Sequence, residues 1–470
     1  MAETLDVVII GAGTAGLAAL REVRKRTERF VLINDGPYGT TCARVGCMPS
    51  KALVEAAKAF HARETFKTFG IRGAEALSVD IPAVLRHVRS LRDRFVAGTL
   101  EATEDLGERN IAGRARLLGP QHVEVAGRVF AARRIVIATG SHPVVPPAWR
   151  SLGERVLTTD DLFEQASLPP RMGIVGLGAI GIEMAQALAR LGIEVSAFGH
   201  GADLAKLSDD RVAGVARAML ACEFAIHTGA DVELAEAGAG VALRAGGVEV
   251  CVDRVLVAIG RRPAVDGLGL EALGVPLDAH GMPPFDPETM RIANLPVFIA
   301  GDVDGRSPLL HEAADDGHIA GRNAVADEGA CYRRRTPLAI VFSDPAIAMV
   351  GRRHAGLDPQ ATVIGEANFE NQGRARIAQR NRGLVRIYAG RGDGRLLGAE
   401  MCVPAAEHMA HLLALAIGQG LTAADLLRMP IYHPVREEGL RTALRDLAKQ
   451  LPGAGSDLAG CGEFRAEALD

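Results

Sequence analysis

The chain has 470 residues, of which 48% are hydrophobic and 23% charged, a composition typical of a globular protein rather than a disordered one. Its 53 basic and 57 acidic residues give a formal net charge of −4, which indicates no basic face for nucleic acid. No apolar run approaches the roughly 18 residues of a membrane span, and an acidic start leaves no room for a signal peptide, so we expect a cytoplasmic protein.

The first predicted element is a buried strand over 7–10, which leads through a glycine-rich turn into a helix over 17–26. Gly11 permits the tight turn, Gly13 lets the backbone approach a pyrophosphate, and Gly16 allows the helix to pack closely on the strand. The unpaired N–H groups at the helix start then face the phosphates. This pattern predicts a dinucleotide site, and the alternative is a strand–turn–helix unit without a ligand.

The acidic residue expected about twenty residues after such a fingerprint is displaced. The position 23 residues after Gly11 is Asn34, and Asp35 stands next to it. We expect these two side chains to supply the ribose contact.

Two cysteines, Cys42 and Cys47, follow five positions apart. Five residues of regular helix rise about 7.5 Å, whereas the Cα atoms of a disulfide usually lie within about 6.8 Å. A bridge therefore needs a distorted turn, which Gly46 permits, and strained bridges are easily reduced. The alternative is two unrelated buried thiols, and the spacing alone leaves both open. The other cysteines form no regular framework and no Cys-x-x-Cys pair, so no metal site is predicted.

A second fingerprint with Gly176, Gly178 and Gly181 is followed by a predicted helix over 182–191 and a strand over 194–198. Two fingerprints indicate two dinucleotides, and the alternative is a duplication in which only one site is used. In this second copy, the position of the ribose-binding acid is Gly199 and no arginine stands there to bind a 2′-phosphate. The preference between NAD and NADP is therefore weakly specified.

Taken in order, these motifs resemble those of the flavoprotein pyridine nucleotide–disulfide oxidoreductases, most closely the dihydrolipoamide dehydrogenase branch. The resemblance covers nearly the whole chain and rests on the segments 11–16, 42–51, 135–140, 176–183, 255–263, 297–302, 342–345 and 432–438.

The resemblance implies an α/β fold with two Rossmann-like dinucleotide-binding domains, for FAD and NAD, and an α+β C-terminal dimerisation domain in a homodimer. It places the FAD-binding domain at 1–148, the NAD(P)-binding domain at 149–268, a return to the FAD-binding region at 269–335 and the dimerisation domain at 336–450. The remaining segment, 451–470, is rich in Gly and Ala and is predicted to be a mobile tail.

The resemblance also implies roles for the site residues. Cys47 is expected to lie against the flavin and Cys42 to face the thiol substrate. His433 and Glu438 are expected to form an acid–base pair that reaches the disulfide of the other subunit, since imidazole titrates near neutrality and a carboxylate fixes its tautomer. The alternative is that this segment only starts a helix, with Pro434 in the first turn.

Lys51 and Glu183 are expected to pair near the flavin N5, and Asp302 to hydrogen-bond the FAD ribityl or phosphate region. The alternatives are solvated charges for the pair and a helix cap for Asp302. His311 and His408 are interpreted as structural. The expected cofactor-binding residues are Gly11, Gly13, Gly16, Asn34, Asp35, Thr41, Lys51, Thr139, Gly140, Gly176, Gly178, Gly181, Glu183, Gly260 and Asp302.

Three departures from the family pattern bear on the substrate. Thr40 replaces a glycine before the cysteine pair, and Arg44 replaces an asparagine between the cysteines, so substrate access is expected to differ from that of a typical lipoamide enzyme. No paired C-terminal cysteines exist, since Cys461 is single, which argues against mercuric reductase.

The function that we expect is FAD-linked oxidation of a dithiol, dihydrolipoamide above all, with reduction of NAD; NADP stays open. A lipoyl domain of a 2-oxo acid dehydrogenase complex is the expected partner. The alternatives are a reductase of glutathione-like disulfides or of a redox-stress substrate, and a non-catalytic subunit of such a complex.

Overall fold

The computed structural model describes residues 4–201 and 204–451. Apart from Leu451, the predicted tail lies outside the described residues, and so does Cys461. The strands are β1 Thr4–Ile10, β2 Phe30–Asn34, β3 Asn110–Ala112, β4 Arg116–Gly119, β5 His122–Val125, β6 Arg128–Ile137, β7 Ser141–Pro143, β8 Val156–Leu157, β9 Arg171–Val175, β10 Glu194–Gly199, β11 Ala225–Thr228, β12 Glu233–Ala237, β13 Gly240–Ala245, β14 Val248–Val252, β15 Arg254–Val257, β16 Arg261–Pro263, β17 Val297–Ile299, β18 Leu338–Val341, β19 Ala346–Gly351, β20 Thr362–Asn368, β21 Leu384–Gly390 and β22 Leu396–Val403.

The α-helices are α1 Thr14–Val23, α2 Thr41–Arg44, α3 Cys47–His61, α4 Ile81–Glu104, α5 Pro147–Arg150, α6 Thr159–Leu162, α7 Ala179–Arg190, α8 Asp210–Leu220, α9 Leu310–Val325, α10 Gly373–Ile377, α11 Ala406–Gly418, α12 Ala423–Leu427 and α13 Glu438–Ala448. None of the helices in the described ranges is long and apolar enough to cross a membrane.

The first sheet has the order β3-β2-β1-β6-β5-β4, and β17 also pairs with β6. The pairs among β3, β2, β1, β6 and β17 are parallel. Their continuous apolar runs fit a sheet buried on both faces, and Val7, Val8 and Ile9 have no exposed area. Helix α1 packs against α9 on this sheet. The first glycine turn therefore lies at the carboxyl end of a central strand, where open α/β sheets bind their ligands.

A second parallel sheet has the order β11-β10-β9-β15-β8. The antiparallel sheet β12-β13-β14 packs on it through Val241, Leu243 and Val252, which share a core with Val175 and Val255. The second glycine turn follows β9 as the first follows β1. Two Rossmann-like units are thus present, which confirms the predicted fold class.

The C-terminal sheet, β18-β19-β22-β21-β20, is antiparallel throughout. Helix α13 packs on β20 and β21 through Leu440, Leu444 and Leu447, which have no exposed area and recur at helical spacing. Helix α11 covers the β19 side of the same sheet. This unit is the predicted α+β domain.

The two helices after the glycine turns begin earlier than predicted. The helix expected over 17–26 is α1, Thr14–Val23, and the helix expected over 182–191 is α7, Ala179–Arg190. In each copy the helix starts directly after the second glycine of the fingerprint, so that its third glycine lies inside the helix. The strand expected over 194–198 is β10, which is one residue longer.

A buried ion cluster joins the second sheet to the C-terminal domain. Arg190 on α7 pairs with Glu223 at 2.6 Å and with Asp344 at 3.0 Å, and its own side chain is only 5% exposed. Gln186, one turn earlier on α7, donates to the Asp344 carbonyl at 2.9 Å. These contacts hold the segment 342–345 against α7, close to the site described next.

Candidate active site

A cavity of about 490 Å³ opens between the first glycine turn, helix α3, helix α7 and the start of the C-terminal sheet. It brings together eight of the residues predicted from the sequence: Gly13, Thr41, Cys42, Cys47, Lys51, Gly140, Glu183 and Asp302. Predicted residues of both Rossmann-like units therefore face one space, although more than 130 positions separate Lys51 from Glu183 in the chain.

The two cysteines lie at a break between helices. Helix α2 ends at Arg44, and α3 begins at Cys47 after Gly46. A Cβ atom on Gly46 would lie 3.0 Å from the Thr41 carbonyl oxygen and 3.1 Å from Cys42 Cα, so a larger residue would push against the backbone of this turn. The break brings the Cys42 and Cys47 side chains into hydrogen-bond contact. Both are free thiols in this structure.

The two thiols differ in acidity. The hydrogen bond from Cys42 and the charge of Lys51 together lower the pKa of Cys47 to about 7, against the opposing effect of burial. Cys47 is also the first residue of α3, where a helix stabilises a negative charge. The same hydrogen bond, together with burial, raises the pKa of Cys42. Cys47 is therefore the thiolate of the pair.

Thr40 takes up a backbone conformation that favours glycine. Its φ is 33°, within the left-handed region. Its hydroxyl accepts a hydrogen bond from the Ala43 N–H at 3.1 Å and so caps α2. The departure from glycine thus keeps the turn and adds a cap to the helix that carries Cys42.

Lys51 and Glu183 form an ion pair at 2.7 Å. Lys51 lies four residues after Cys47 on α3 and so on the same helix face. The Glu183 side chain is only 5% exposed, and its second oxygen accepts the Phe342 N–H at 2.9 Å. The Lys51 ammonium also lies 4.6 Å from the centre of the Phe342 ring. The pair is therefore fixed on three sides, and a solvated surface role is excluded for Glu183.

Asp302 caps no helix through its side chain but accepts a hydrogen bond from the Ser141 hydroxyl at 2.9 Å. Arg261 donates to that hydroxyl at 2.8 Å and to the Ser141 carbonyl at 2.7 Å. Arg261 also lines the cavity. The Asp302 carboxylate is thereby oriented at the cavity wall, where it can accept from a ligand hydroxyl.

The residues around the first glycine turn fit FAD. A Cβ atom on Gly13 would meet nothing within 4 Å, and the N-terminus of α1 carries no side-chain cap, so its N–H groups are open to a pyrophosphate. The Thr139 hydroxyl is buried without a hydrogen-bond partner among the described residues, which is the signature of a group kept for a ligand. Gly13, Gly140 and Asp302 line the same cavity, and Thr139 directly precedes Gly140 in the chain.

Asn34 and Asp35 lie at the outer end of this turn and have different contacts. The Asn34 side chain accepts the Ala12 N–H at 3.1 Å and donates to the Gly36 carbonyl at 2.9 Å. Asp35 is 57% exposed, with Arg114 at 3.9 Å. Asn34 therefore stabilises the turn itself, whereas Asp35 is exposed and only loosely paired.

The second glycine turn has the same form, but its strand end is closed. Gly176 and Gly178 lie between β9 and α7, Gly181 lies in the first turn of α7, and Gly260 follows the parallel neighbour β15. A Cβ atom on Gly199 would lie 2.8 Å from Leu177 Cδ1, because the buried Leu177 side chain packs over this position. The ribose end of the predicted nicotinamide site is therefore apolar.

His433 and Glu438 are paired but lie apart from the cysteines of their own chain. His433 Nδ1 is 3.1 Å from the Glu438 carboxylate, and the His433 side chain is 78% exposed. That hydrogen bond lowers the pKa of Glu438, whose other oxygen accepts the Val435 N–H. Glu438 is the first residue of α13, and Pro434 lies outside the helix, so His433 is not part of a helix start. Neither residue lines the cavity.

Two residues that were given no role from the sequence, Arg261 and Phe342, line the cavity, and a third, Ser141, contacts Asp302 at its wall. Ser141 and Phe342 act through contacts to Asp302 and Glu183, which no spacing in the chain reveals. His311, interpreted from the sequence as structural, lies in the first turn of α9 at the cavity wall. In the described ranges, no group of three or more His, Cys, Asp or Glu side chains could hold a metal ion.

Two family models match the chain. Residues 5–317 match the pyridine nucleotide-disulphide oxidoreductase model, and residues 338–444 match the dimerisation domain of the same family. The second match indicates that the chain forms a homodimer.

Individual proteins match over nearly the whole chain. Dihydrolipoyl dehydrogenase from Thermus scotoductus is 32% identical over 467 residues, which cover 95% of this chain and 98% of that protein. The crystal structure of LpdA from Mycobacterium tuberculosis matches with a TM-score of 0.82 and 26% identity, covering 93% of this chain and 98% of LpdA. The HOCl-induced flavoprotein disulfide reductase RclA from Escherichia coli has the same fold, with a TM-score of 0.81, 23% identity and coverage of 94% and 99%.

Proposed function

The chain belongs to the pyridine nucleotide-disulphide oxidoreductases, enzymes that act on sulfur groups with FAD and NAD(H), and we propose that it oxidises dihydrolipoamide. The observation that carries this proposal is the contact between Cys42 and Cys47 on the wall of the cavity that fits FAD. The name of the Thermus relative supports the choice of dithiol.

Bound FAD would pass two electrons between the cysteine pair and the nicotinamide. The overall reaction converts dihydrolipoamide and NAD⁺ into lipoamide, NADH and a proton. Gly13, Thr139, Gly140 and Asp302 would hold FAD, and the second glycine turn would hold NAD(H).

The chain's own residues account for the sulfur chemistry. One substrate thiolate attacks the Cys42 sulfur of the oxidised pair, and the Cys42–Cys47 bond breaks with Cys47 leaving as thiolate. The low pKa of Cys47 makes it the better leaving group, and Lys51 compensates its charge. The second substrate thiolate then attacks the mixed disulfide, which closes the substrate disulfide and releases Cys42.

His433 would take the protons of the substrate thiols, with Glu438 holding the imidazole in one orientation. Because these residues lie apart from the cysteines of their own chain, they would act on the pair of the other subunit. The site is then complete only in the homodimer.

For the partner, we propose the lipoyl domain of a 2-oxo acid dehydrogenase complex in the cytoplasm, which presents the dithiol on a flexible arm. A purely structural subunit would need neither the cysteine pair nor the ion pair beside it, and this argues against the non-catalytic alternative.

The test is steady-state turnover of the purified homodimer with NAD⁺ and dihydrolipoamide, beside NADPH with glutathione disulfide. We expect turnover with the first pair. Activity confined to the second pair would instead favour a reductase of glutathione-like disulfides.

Substitutions separate the roles within this activity. Cys42→Ser and Cys47→Ser should each abolish dithiol oxidation while NADH still reduces the flavin. His433→Gln should lower dithiol oxidation by about 10²–10⁴-fold, the range for a lost general acid–base group. His408→Gln, an exposed histidine of the same domain, is the control. If His433→Gln stays within about twofold of the parent, another group moves the proton.

A further inference from the structure

A cluster of arginines lies beside the acid–base pair. The segment 371–382 contains Arg374, Arg376, Arg380 and Arg382 and no acidic residue, although the whole chain has a net charge of −4. All four arginines are exposed. The cluster is therefore a local feature and not a consequence of overall composition. Together with Arg436, these residues are called the arginine patch below.

The segment folds back on itself, so that its arginines are neighbours in space. The Arg380 N–H donates to the Ala375 carbonyl at 2.9 Å, and the Arg382 N–H donates to the Arg380 carbonyl at 3.0 Å. The Asn381 side chain donates to the Glu370 carbonyl at 2.6 Å and closes the loop. The positive charges after α10 are thereby brought back towards those on α10.

The same segment is tied to the chain that carries the acid–base pair. Gln372, the N-cap of α10, donates from its side chain to the Val435 carbonyl at 2.7 Å, two residues from His433. The next residue, Arg436, lines a cleft of about 100 Å³ together with Arg380. The patch is therefore joined, through Gln372 and Arg436, to the segment that carries His433.

The arginines have little internal compensation. Within ion-pair distance, no carboxylate of the described residues reaches Arg374, Arg376 or Arg382, whereas Arg380 lies 3.5 Å from Asp344, which Arg190 already holds. Arg436 has a buried Nε atom without a hydrogen-bond partner in the described part of the chain. Asp344 and Glu407 also line the cleft of Arg380 and Arg436. The excess positive charge therefore lies on Arg374, Arg376 and Arg382, and guanidinium groups without acidic partners concentrate an anionic ligand at the surface.

A further arginine, Arg44, lies beside the redox cysteines and not beside His433. Arg44 lies between the redox cysteines at the end of α2, and its Nε atom is buried without a partner among the described residues. In the homodimer that the proposed function requires, the cysteine turn of one subunit meets the acid–base pair of the other. The thiol substrate would then enter between two cationic surfaces.

We propose that the arginine patch binds an anionic group, a carboxylate or phosphate, on those small thiol substrates that carry one, so that this site also accepts anionic dithiols besides the neutral dihydrolipoamide. This inference rests on the proposed function, since it assumes that thiols react at Cys42 and His433. Arginine suits such a group because its planar fork can donate two parallel hydrogen bonds to a carboxylate or phosphate. A neutral amide gains no comparable attraction.

The test compares dihydrolipoate with dihydrolipoamide, which carry the same dithiol and differ by a carboxylate against an amide. For the parent homodimer we expect a KM about tenfold lower for dihydrolipoate at low salt, with similar kcat, and a difference that shrinks in 0.5 M salt. Arg374→Gln/Arg376→Gln should raise the KM for dihydrolipoate about tenfold and leave that for dihydrolipoamide within about twofold. Arg24→Gln/Arg26→Gln, an exposed pair of equal spacing near the end of α1, is the matched control and should change neither.

The patch proposal would be overturned, while the proposed function stands, if the parent has equal KM values for the two dithiols. The same holds if the arginine variant raises the KM for both dithiols equally. Another outcome separates the two proposals: neither dithiol is oxidised, but glutathione disulfide, which carries carboxylates, is reduced. If its KM then rises about tenfold in the arginine variant, the patch proposal holds and the dithiol assignment fails. Absence of turnover with all three substrates would overturn both.

Discussion

The two glycine turns of this chain have nearly the same backbone and different surroundings. Gly11 and Gly176 have φ values of 111° and 110°. A Cβ atom on Gly16 would lie 1.8 Å from the Gly11 carbonyl oxygen, and one on Gly181 would lie 1.8 Å from the Gly176 carbonyl oxygen. Backbone contact therefore requires glycine at the same places in both copies.

The strand ends beside the two turns differ. In the first copy, Asn34 at the end of β2 donates and accepts hydrogen bonds that hold the turn. In the second copy, Gly199 at the end of β10 has no side chain, and Leu177 packs over it. We therefore expect the glycines to determine where a pyrophosphate binds, and the residue at the strand end to determine which nucleotide is preferred.

The largest expected effect comes from replacing the third glycine of each turn, Gly16 or Gly181. Gly16→Val should yield protein without FAD, because its Cβ would collide with the Gly11 carbonyl and push α1 away from the sheet. Gly181→Val should keep FAD but lose reduction of the flavin by NADH by more than about 10³-fold, some 4 kcal/mol. Flavin absorbance and single-turnover reduction measure the two results.

Gly214→Ala is the control for these two substitutions, since a Cβ atom there meets nothing within 4 Å in the middle of α8. It should keep both FAD and NADH reduction. Loss of FAD in the Gly181 variant would show that the two turns do not act as separate sites.

A smaller effect on dithiol oxidation is expected from the ion pair that joins the two Rossmann-like units beside Cys47. Lys51 on α3 pairs with Glu183 on α7, the helix of the second turn. Lys51→Met should raise the pKa of Cys47, because the positive charge that stabilises the thiolate is lost. The sign follows from charge: without Lys51 the thiolate forms only at higher pH. Dithiol oxidation near neutral pH should fall by about 10–100-fold, as for a pKa shift of one to two units.

The pH dependence of alkylation of the reduced enzyme measures this pKa directly, apart from turnover. Lys58→Met, which removes an ion pair with Glu55 on the same helix, is the matched control. An unchanged alkylation profile in Lys51→Met would mean that the hydrogen bond from Cys42 alone sets the acidity of Cys47.

Much of this arrangement could be predicted from the sequence, because its signals are local. The glycine spacings, the cysteine pair and the strands beside them are visible in neighbouring residues, and the family resemblance that these motifs carry implies the two Rossmann-like units. The contacts of Ser141 with Asp302 and of Phe342 with Glu183 join residues more than 150 positions apart. No periodicity encodes such contacts, and they arise only when the sheets pack.

The closed strand end is the other feature that the sequence could not reveal. A glycine at position 199 indicates only that a carboxylate is missing, whereas the structure shows that Leu177 fills the place. We therefore expect the parent to discriminate weakly, by less than about tenfold in kcat/KM, between NADH and NADPH, because no carboxylate repels the 2′-phosphate. The domain boundaries drawn from the sequence stay predictions.

The substitution that opens this strand end should make the second turn resemble an NAD-specific site. Gly199→Glu alone should change the NADH/NADPH ratio little, because its Cβ meets Leu177 at 2.8 Å. Leu177→Ala/Gly199→Glu should favour NADH by about 10–30-fold over the parent, through ribose hydrogen bonds and repulsion of the phosphate. Leu177→Ala is the control. A parent that already prefers NADH by more than about 10³-fold would show that another residue binds the ribose.

The smallest effect concerns the strand end of the first turn, where hydrogen bonds take the place of packing. Ala12 is buried, and its N–H donates to the Asn34 side chain at 3.1 Å. Asn34→Ala leaves this N–H without a partner, which costs about 1–3 kcal/mol where no water replaces it. Asn34 is partly exposed, so we expect the lower end of that range and a FAD affinity reduced about fivefold, measured by flavin release on dilution.

Asp35→Ala is the control for this substitution. It should change the FAD affinity less than about twofold, since Asp35 is 57% exposed and only loosely paired. The reverse result, with Asp35→Ala the weaker binder, would mean that Asp35 contacts the ribose of FAD and that this contact contributes more to the affinity than the order that Asn34 gives to the turn.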